Sequence, residues 1–406
     1  MISRGSGYSR TGRLGLVIAT GAVALLVLSA CVPNNTAASD SKATALTVDS
    51  TASDCSLSAA KAPSGSVEFT VTNSTDQVTE FYLLADDGLR IVAEMENIAP
   101  GAPRKLTTQL KPGDYFTICK PGMVGDGVGR ATFTVTNSGA TAELVGNEKS
   151  QTAAAAKNYV TYVKEQVTRL VPATSTFLGA YLAGDDEKAR SLYPITRAYY
   201  ERIEPVAESF GDLDPEIDFR EADVADGDTW TGWHRIEKDL WPPAAADNGG
   251  APYVALTPVE RKNFADKLEA NTQEFFDAVN AKGYSVSIDA ISNGAIGLLN
   301  EVANGKITGE EEIWSHTDLW DIQANLEGAR VAYEGVRDIV AAKDAKLVTQ
   351  IDGDFSSVEK QLAKYGSLDA GFTYYNDLTT LQVKQLADGV NALSEPLSKL
   401  TAALVK

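Results

Sequence analysis

Residues 191–210 read SLYPITRAYYERIEPVAESF, and the apolar side chains in this stretch recur at the spacing of an α-helix. One apolar stripe is formed by Leu192, Ile195, Tyr199, Ile203, Val206 and Phe210. Because an amphipathic helix buries its apolar stripe, this pattern predicts a helix that packs in a bundle. Glu201, Glu204 and Glu208 lie roughly on the opposite face. That face is the solvent side of the helix unless a second layer of helices covers it, and both alternatives remain open.

The helical period continues on both sides of this stretch. Thr257-Pro258-Val259-Glu260 is a capping box with proline at the first helical position, which predicts a helix through Phe276. Further helices are predicted near residues 155–182, 292–304, 315–342 and 377–404. Antiparallel helices with short connections form bundles, so we expect an all-α domain over residues 150–406.

The preceding part of the chain has the period of β-strands instead. Val67–Val71 and Ala131–Val135 alternate apolar and polar side chains, and turn sequences such as Lys111-Pro112-Gly113-Asp114 separate such runs. Short strands at this spacing predict an all-β sandwich over residues 46–146.

The N-terminal residues have the pattern of an export signal. Three arginines precede an apolar run that ends at Leu28-Ser29-Ala30-Cys31, which is similar to the cleavage site of a bacterial lipoprotein. We therefore expect a signal peptide over residues 1–30, lipid attached to Cys31, and a flexible tether over residues 31–45. The alternative is an ordinary secretory signal that leaves Cys31 as a spare thiol.

The charge of the chain excludes one class of partner. The net charge is −19, and residues 1–30 hold three arginines and no acidic residue, so the rest of the chain is more acidic still. Such a surface repels nucleic acid and concentrates cations.

One of only two histidines lies in the stretch WTGWHRIEKDLW, residues 230–241. His234 and Glu237 are three residues apart, so both project from one side of a helix whose remaining positions are largely apolar. They form either a structural pair in the core or part of a metal site. Carboxylates with one imidazole suit iron, manganese or zinc. The paired-histidine motif of zinc peptidases does not occur, and we predict that the protein is not an enzyme. The alternative is a metal-dependent enzyme, either a peptidase or an oxidase of ferrous iron.

Three long motifs resemble the EfeO family, the extracytoplasmic components of Efe iron-uptake systems. They are YYERIEPVAESFGDLDPEIDFRE at 199–221, the GxHxxE motif at 232–237, and SHTDLWDIQANLEGA at 315–329. The resemblance implies a cupredoxin-like domain followed by an imelysin-like helical domain that binds iron. It also implies an Efe-type iron permease in the membrane and an EfeB-type haem peroxidase as partners. The implied helical ligands are Glu201, Glu204, Asp218, His234 and Glu237, with a further acidic ligand from Glu301 or the run Glu310–Glu312.

For the β half, the resemblance implies a second metal site and a further acidic patch. The site comprises Cys55, Glu80, Cys119 and Met123, and the patch comprises Glu94 and Glu96. Sulfur ligands favour copper, yet residues 31–150 contain no histidine, so a blue-copper centre cannot form there. In an exported protein, Cys55 and Cys119, the pair of cysteines that remains besides Cys31, favour a disulfide. Because Met123 follows Cys119 in one turn, we expect the metal site, with the disulfide as the alternative.

Overall fold

The computed structural model describes residues 43–84, 91–122, 127–138, 147–225 and 227–405. The signal peptide with Cys31, most of the tether, and Met123 lie outside the described residues, as does the side chain of Glu96. In the described part, none of the helices combines the length and apolarity needed to cross a lipid bilayer.

The first half of the described chain is a sandwich of two β-sheets. Its strands are β1 (Thr44–Ser50), β2 (Cys55–Leu57), β3 (Lys61–Pro63), β4 (Gly65–Asn73), β5 (Thr79–Leu84), β6 (Ile91–Ile98), β7 (Pro103–Leu110), β8 (Gly113–Pro121) and β9 (Val128–Thr136). One sheet has the order β2-β1-β4-β7 and the other β3-β9-β8-β5-β6. The pairs β1–β4 and β3–β9 are parallel and the other pairs are antiparallel.

The alternation that predicts strands in the sequence also builds the core between the two sheets. Along β4, Val67, Phe69 and Val71 are buried and the residues between them are half-exposed. The ring of Phe69 lies 5.3 Å from that of Phe81 and 5.6 Å from that of Phe133, both in the opposite sheet. Apolar burial between the sheets therefore holds the sandwich together.

The second half is helical. Its helices are α1 (Asn147–Leu182), α2 (Asp186–Glu201), α3 (Glu204–Glu208), α4 (Leu213–Asp218), α5 (Trp233–Leu240), α6 (Pro258–Asn280), α7 (Ile288–Asn304), α8 (Asp318–Lys343), α9 (Ala345–Leu362), α10 (Thr380–Leu397) and α11 (Leu400–Leu404). The short strands β10 (Gly366–Ser367) and β11 (Gly371–Phe372) form a hairpin between α9 and α10. The predicted order of a β-sandwich followed by a helical domain is confirmed.

Local signals explain where two of these helices begin and end. Thr257 caps α6 in the predicted capping box with Glu260. The helix predicted through Phe210 instead ends at Glu201, and α3 begins again at Glu204 with Pro205 in its first turn. Proline lacks an amide hydrogen and clashes with the preceding turn, so it starts a new helix here rather than continuing α2.

The two halves pack against each other within one compact unit. Asp289 in the first turn of α7 accepts hydrogen bonds from the hydroxyl of Thr108 at 2.5 Å and the backbone amide of Gln109 at 2.9 Å, both on β7. On β8, the ammonium of Lys120 lies 6.0 Å from the ring centre of Phe219, just after α4. These contacts bring the β-sandwich to the start of α7 and the end of α4.

Candidate metal centre

The face of α2 that points into the bundle is polar. Tyr193, Arg197, Tyr200 and Glu201 are buried, whereas Ile195 in the apolar stripe is 42% exposed. The expectation that Ile195 packs inward is therefore wrong. Helix α8 covers the polar face, so the alternative in which Glu201 faces solvent is also wrong. Buried charges persist only where partners compensate them, and Arg197 forms ion pairs with Glu201, Asp218, Glu311, Glu312 and Asp321.

A glycine brings His234 next to Asp218. Gly232, the residue before α5, has a φ of 87°, and a Cβ added to it would lie 2.1 Å from the backbone oxygen of Ile217. Only glycine allows the start of α5 to approach the end of α4 this closely. Asp218 is the last residue of α4 and His234 is the second residue of α5, so the two side chains meet.

The imidazole of His234 is held on one side and left without a hydrogen bond on the other. Its Nδ1 lies 3.1 Å from Oε2 of Glu237. The other oxygen of Glu237 accepts backbone hydrogen bonds from Trp314 at 3.1 Å and Ser315 at 2.8 Å. Among the described residues, His234 Nε2 has no hydrogen-bond partner although it is fully buried. Glu237 therefore fixes the ring so that Nε2 points to one defined place.

That place lies between two carboxylates. Nε2 is 3.5 Å from Oδ1 of Asp218 and 3.5 Å from Oε1 of Glu311, and the three ligand atoms all lie within 4.8 Å of one another. Ligands of one ion at about 2.1 Å are at most about 4.2 Å apart, and Nε2 already lies within this limit of both oxygens. The triad would close around a metal ion if the two oxygens approached each other by up to about 0.6 Å. One imidazole with two carboxylates suits iron, manganese or zinc.

Two other predicted ligands are bound to a lysine. Lys306, in a short 3₁₀ helix at Lys306–Thr308, has no exposure. Its Nζ lies 2.5 Å from Oε2 of Glu201 and 3.0 Å from Oε2 of Glu204. Asn325 on α8 also donates to Oε2 of Glu201 at 3.0 Å. The predicted five-residue ligand set is thus divided: Asp218 and His234 belong to the triad, Glu237 holds His234, and Glu201 and Glu204 bind Lys306.

The triad belongs to a larger set of buried acids, which we call the carboxylate cluster: Glu201, Glu204, Asp218, Glu237, Glu311, Glu312, Asp318 and Asp321. Burial raises the pKa of Asp218 to about 6 and those of Glu312 and Asp318 to about 7, and it raises the pKa of Glu204 well above its ordinary value. Proton uptake thus relieves part of the repulsion between the acids. A cation bound in the cluster would relieve it in the same way.

Neighbouring charged groups shift the pKa of His234 upward and the pKa of Glu311 downward. Burial and Arg197 disfavour the charged imidazolium, but hydrogen bonding to Glu237 and the carboxylates of Glu311 and Glu312 outweigh them and raise the pKa of His234 well above its ordinary value. Burial also disfavours ionised Glu311, yet Lys306 and His234 lower its pKa. A metal ion at the triad therefore has to displace the proton from His234.

An acidic cleft between the two halves leads to the triad. A cavity of about 120 Å³ is lined from the helical side by residues that include Glu204, Asp218 and Glu311, and from the sandwich by Glu80 and Lys120. Glu80 accepts a hydrogen bond from Tyr82 at 2.6 Å, and burial raises its pKa to about 7. This cleft gives a small cation a path with carboxylate oxygens along its wall.

The prediction of a thiolate metal site in the sandwich is wrong. Cys55 on β2 and Cys119 on β8 form a disulfide that joins the two sheets. Phe81 pairs with Cys119, and Glu80 pairs with Lys120, in the β5–β8 register. Because neighbouring residues of a strand point to opposite faces, Cys119 faces the core while Glu80 faces the cleft.

Of the acidic patch predicted on β6, Glu94 lies at the interface with the helices. Glu94 shares a hydrogen bond with Glu208 of α3, and burial raises the pKa of Glu94. Glu94 therefore forms a contact between the two halves.

Sequence reasoning missed the cations of the site. Arg197 and Lys306 were not predicted to belong to it, and Glu311 was proposed only within the run Glu310–Glu312. The signal that points to Arg197 is its position on the same helical face as Glu201, four residues later. The second histidine, His316, is half-buried with a φ of 59° and belongs to none of the possible metal-binding groups among the described residues.

Comparisons with known proteins agree with this architecture. Residues 155–400 match the family described as Imelysin, Peptidase_M75. The chain is 36% identical over 353 residues to the "Iron uptake system component EfeO" of Yersinia pestis, which covers 86% of this chain and 88% of that protein. It is also 36% identical over 349 residues to the protein with the same description in Escherichia coli O157:H7, covering 84% of this chain and 86% of that protein. The chain belongs to the imelysin family and is an EfeO-type member of it.

Proposed function

We propose that this chain is an extracytoplasmic protein that binds iron and delivers it to an Efe-type permease in the membrane. The observation that carries the proposal is the buried Nε2 of His234, which lacks a hydrogen-bond partner and lies 3.5 Å from Asp218 and from Glu311. The description of the EfeO relatives as iron uptake components supports iron as the cargo. Zinc and copper would be competing ions.

The residues of the site have different roles in this proposal. Asp218, His234 and Glu311 hold the ion, and water fills its remaining positions. Glu237 accepts the Nδ1 hydrogen of His234 and so keeps the Nε2 lone pair available to the metal. Glu201 and Glu204 add negative charge at the inner end of the cleft while they bind Lys306.

The size of the cleft supports a carrier rather than a peptidase. The triad side chains are buried, with Asp218 6% and Glu311 7% exposed. A cavity of about 120 Å³ admits a hydrated ion but is too small for an extended polypeptide and its side chains. Glu80 and Glu94 from the sandwich would then act at the domain interface, where an arriving ion meets its first carboxylates.

The delivery step depends on the anchor and the partners. A lipid on Cys31 would keep the chain at the membrane beside the permease, and the tether over residues 31–45 would let the two domains reach it. An EfeB-type haem peroxidase would be the second partner of the system.

Calorimetric titration of the full chain with ferrous iron under argon, and with ferric citrate, tests the binding step. We expect one ion per chain, and at least a hundredfold weaker binding after His234→Ala. His316→Asn is the matched control, because asparagine tolerates the positive φ at this position and His316 lies outside the site. Iron binding by His234→Ala that is as tight as that of the parent chain would contradict the proposal.

A further inference from the structure

Carboxylates surround the ammonium group of Lys306. Besides its short contacts with Glu201 and Glu204, its Nζ lies 3.8 Å from an oxygen of Glu301 and 3.9 Å from Oε1 of Glu311. The side chain has no exposure. A buried lysine is rare, and the carboxylates around its Nζ compensate its positive charge.

The acids around Lys306 have the arrangement of a cation site in their own right. Ligand oxygens of Glu201, Glu204 and Asp218 lie within 4.8 Å of one another, as they would around a metal ion. Asp218 is also part of the His234 triad, and Glu311 of that triad approaches Lys306. Two neighbouring cation positions that share carboxylates are the arrangement of dinuclear metal centres in helical bundles.

We propose that the ammonium of Lys306 is a tethered cation that fills the second of these positions and thereby restricts the centre to one metal ion. This inference rests on the proposed function only in placing an ion at the His234 triad. The ammonium is fully buried, so a second ion must displace it from Glu201 and Glu204. Displacement would leave a lysine charge buried beside a metal ion, which is strongly unfavourable.

The asymmetry between the two positions supports this assignment. At the triad, His234 Nε2 lacks a hydrogen-bond partner among the described residues, whereas at the second position Lys306 and Asn325 both donate to Oε2 of Glu201. At the first position His234 Nε2 is available to an ion, although Arg197 also binds Oδ1 of Asp218, whereas at the second position two donors already bind the same oxygen of Glu201. A carrier gains from this arrangement, because an ion held by three protein ligands leaves more readily than one bridged to a second metal.

The test counts zinc ions bound to the full chain by native mass spectrometry, since zinc is redox-inert. We expect one ion for the parent chain and two for Lys306→Met, which keeps the volume of the side chain and removes its charge. Adding Glu204→Gln to Lys306→Met should remove the second ion only. Lys238→Met is the matched control, because Lys238 is also buried and bound to a glutamate, Glu221, outside both positions.

Equal stoichiometry of the parent chain and Lys306→Met would overturn the inference, as would two ions bound by the parent. Circular dichroism reports whether Lys306→Met folds, and Lys306→Gln, whose amide still donates to Glu201, replaces it if it does not. The outcome for the proposed function is separate. A parent chain that binds no ion while Lys306→Met binds one that depends on Glu204 would refute the function and support the inference.

Discussion

Replacing Glu237 with glutamine tests whether this residue orients His234 or binds the metal itself. The change keeps the size of the side chain and removes its charge. One carboxylate oxygen faces Nδ1 of His234 at 3.1 Å, and the other accepts the amides of Trp314 and Ser315. A glutamine offers one oxygen and one NH₂ group to these two contacts, which both need an acceptor. One of the contacts therefore places a donor opposite another donor.

Either orientation of the glutamine weakens metal binding. If its oxygen keeps the two backbone amides, its NH₂ group faces Nδ1, and the imidazole then places its proton on Nε2, where the metal should bind. If the glutamine side chain adopts the flipped orientation, its NH₂ group faces the backbone amides of Trp314 and Ser315. One buried mismatch costs about 1–3 kcal/mol, which corresponds to roughly 5- to 150-fold in affinity. The loss of an outer residue that orients a ligating histidine costs a similar factor of about 10 to 100.

The assay is calorimetric titration of Glu237→Gln with ferrous iron, beside the parent chain, His234→Ala and the control Glu221→Gln. Glu221 pairs with Lys238, the neighbour of Glu237, and is half-exposed, so its replacement should leave affinity unchanged. We expect one ion per chain with a dissociation constant raised about 10- to 100-fold. An unchanged constant would mean that Glu237 does not orient His234, and a loss as large as that of His234→Ala would make Glu237 a direct ligand.

Further predictions concern the disulfide, the domain contact, the acids and the anchor. Thiol titration of denatured protein purified without reductant should find Cys55 and Cys119 unreactive, and replacing both with serine should lower the free energy of unfolding of the sandwich by about 4 kcal/mol. Asp289→Asn should weaken the contact with β7 by about 1–2 kcal/mol, seen as faster amide hydrogen exchange there. Without metal, calorimetry should show the melting temperature falling between about pH 4 and 7. Burial raises the pKa of Asp318 to about 7, so the native state holds a proton that the unfolded state has lost, and stability decreases as pH rises through this window. Cys31→Ser should move the chain from the membrane fraction to the soluble fraction, measured by immunoblotting.

The sequence predicts the elements of the fold because its local signals agree with the packing. Alternation over Val67–Val71 coincides with the buried side chains of β4, and the capping box at Thr257 starts α6. The apolar stripe of residues 191–210 gives the right period but the wrong face at Ile195. A hydrophobicity pattern assigns a charged face to the solvent side of a helix. It does not account for a partner such as Arg197, which compensates the negative charge of buried carboxylates.

The site is less predictable than the fold because its groups come from distant parts of the chain. Lys306 follows Glu201 by 105 residues, and no local pattern joins them. The resemblance to the EfeO family supplied Glu201 and Glu204, yet it did not reveal that a lysine binds both. The same resemblance led to the prediction of a thiolate metal site. Export to an oxidising compartment, taken alone, favours the disulfide that Cys55 and Cys119 form.

The geometry of the centre follows from where helices are interrupted. Asp218 ends α4, Glu204 begins α3 and Asp318 begins α8. Pro205 imposes the start of α3, because it cannot continue α2. Gly232 lets the start of α5 contact the backbone at the end of α4, where any side chain would block the approach. Residues at helix ends shift by a fraction of an ångström more easily than residues within a helix, since fewer backbone hydrogen bonds hold them. The triad needs a contraction of this size, so the breaks in the helices both gather the carboxylates and let them close around an ion.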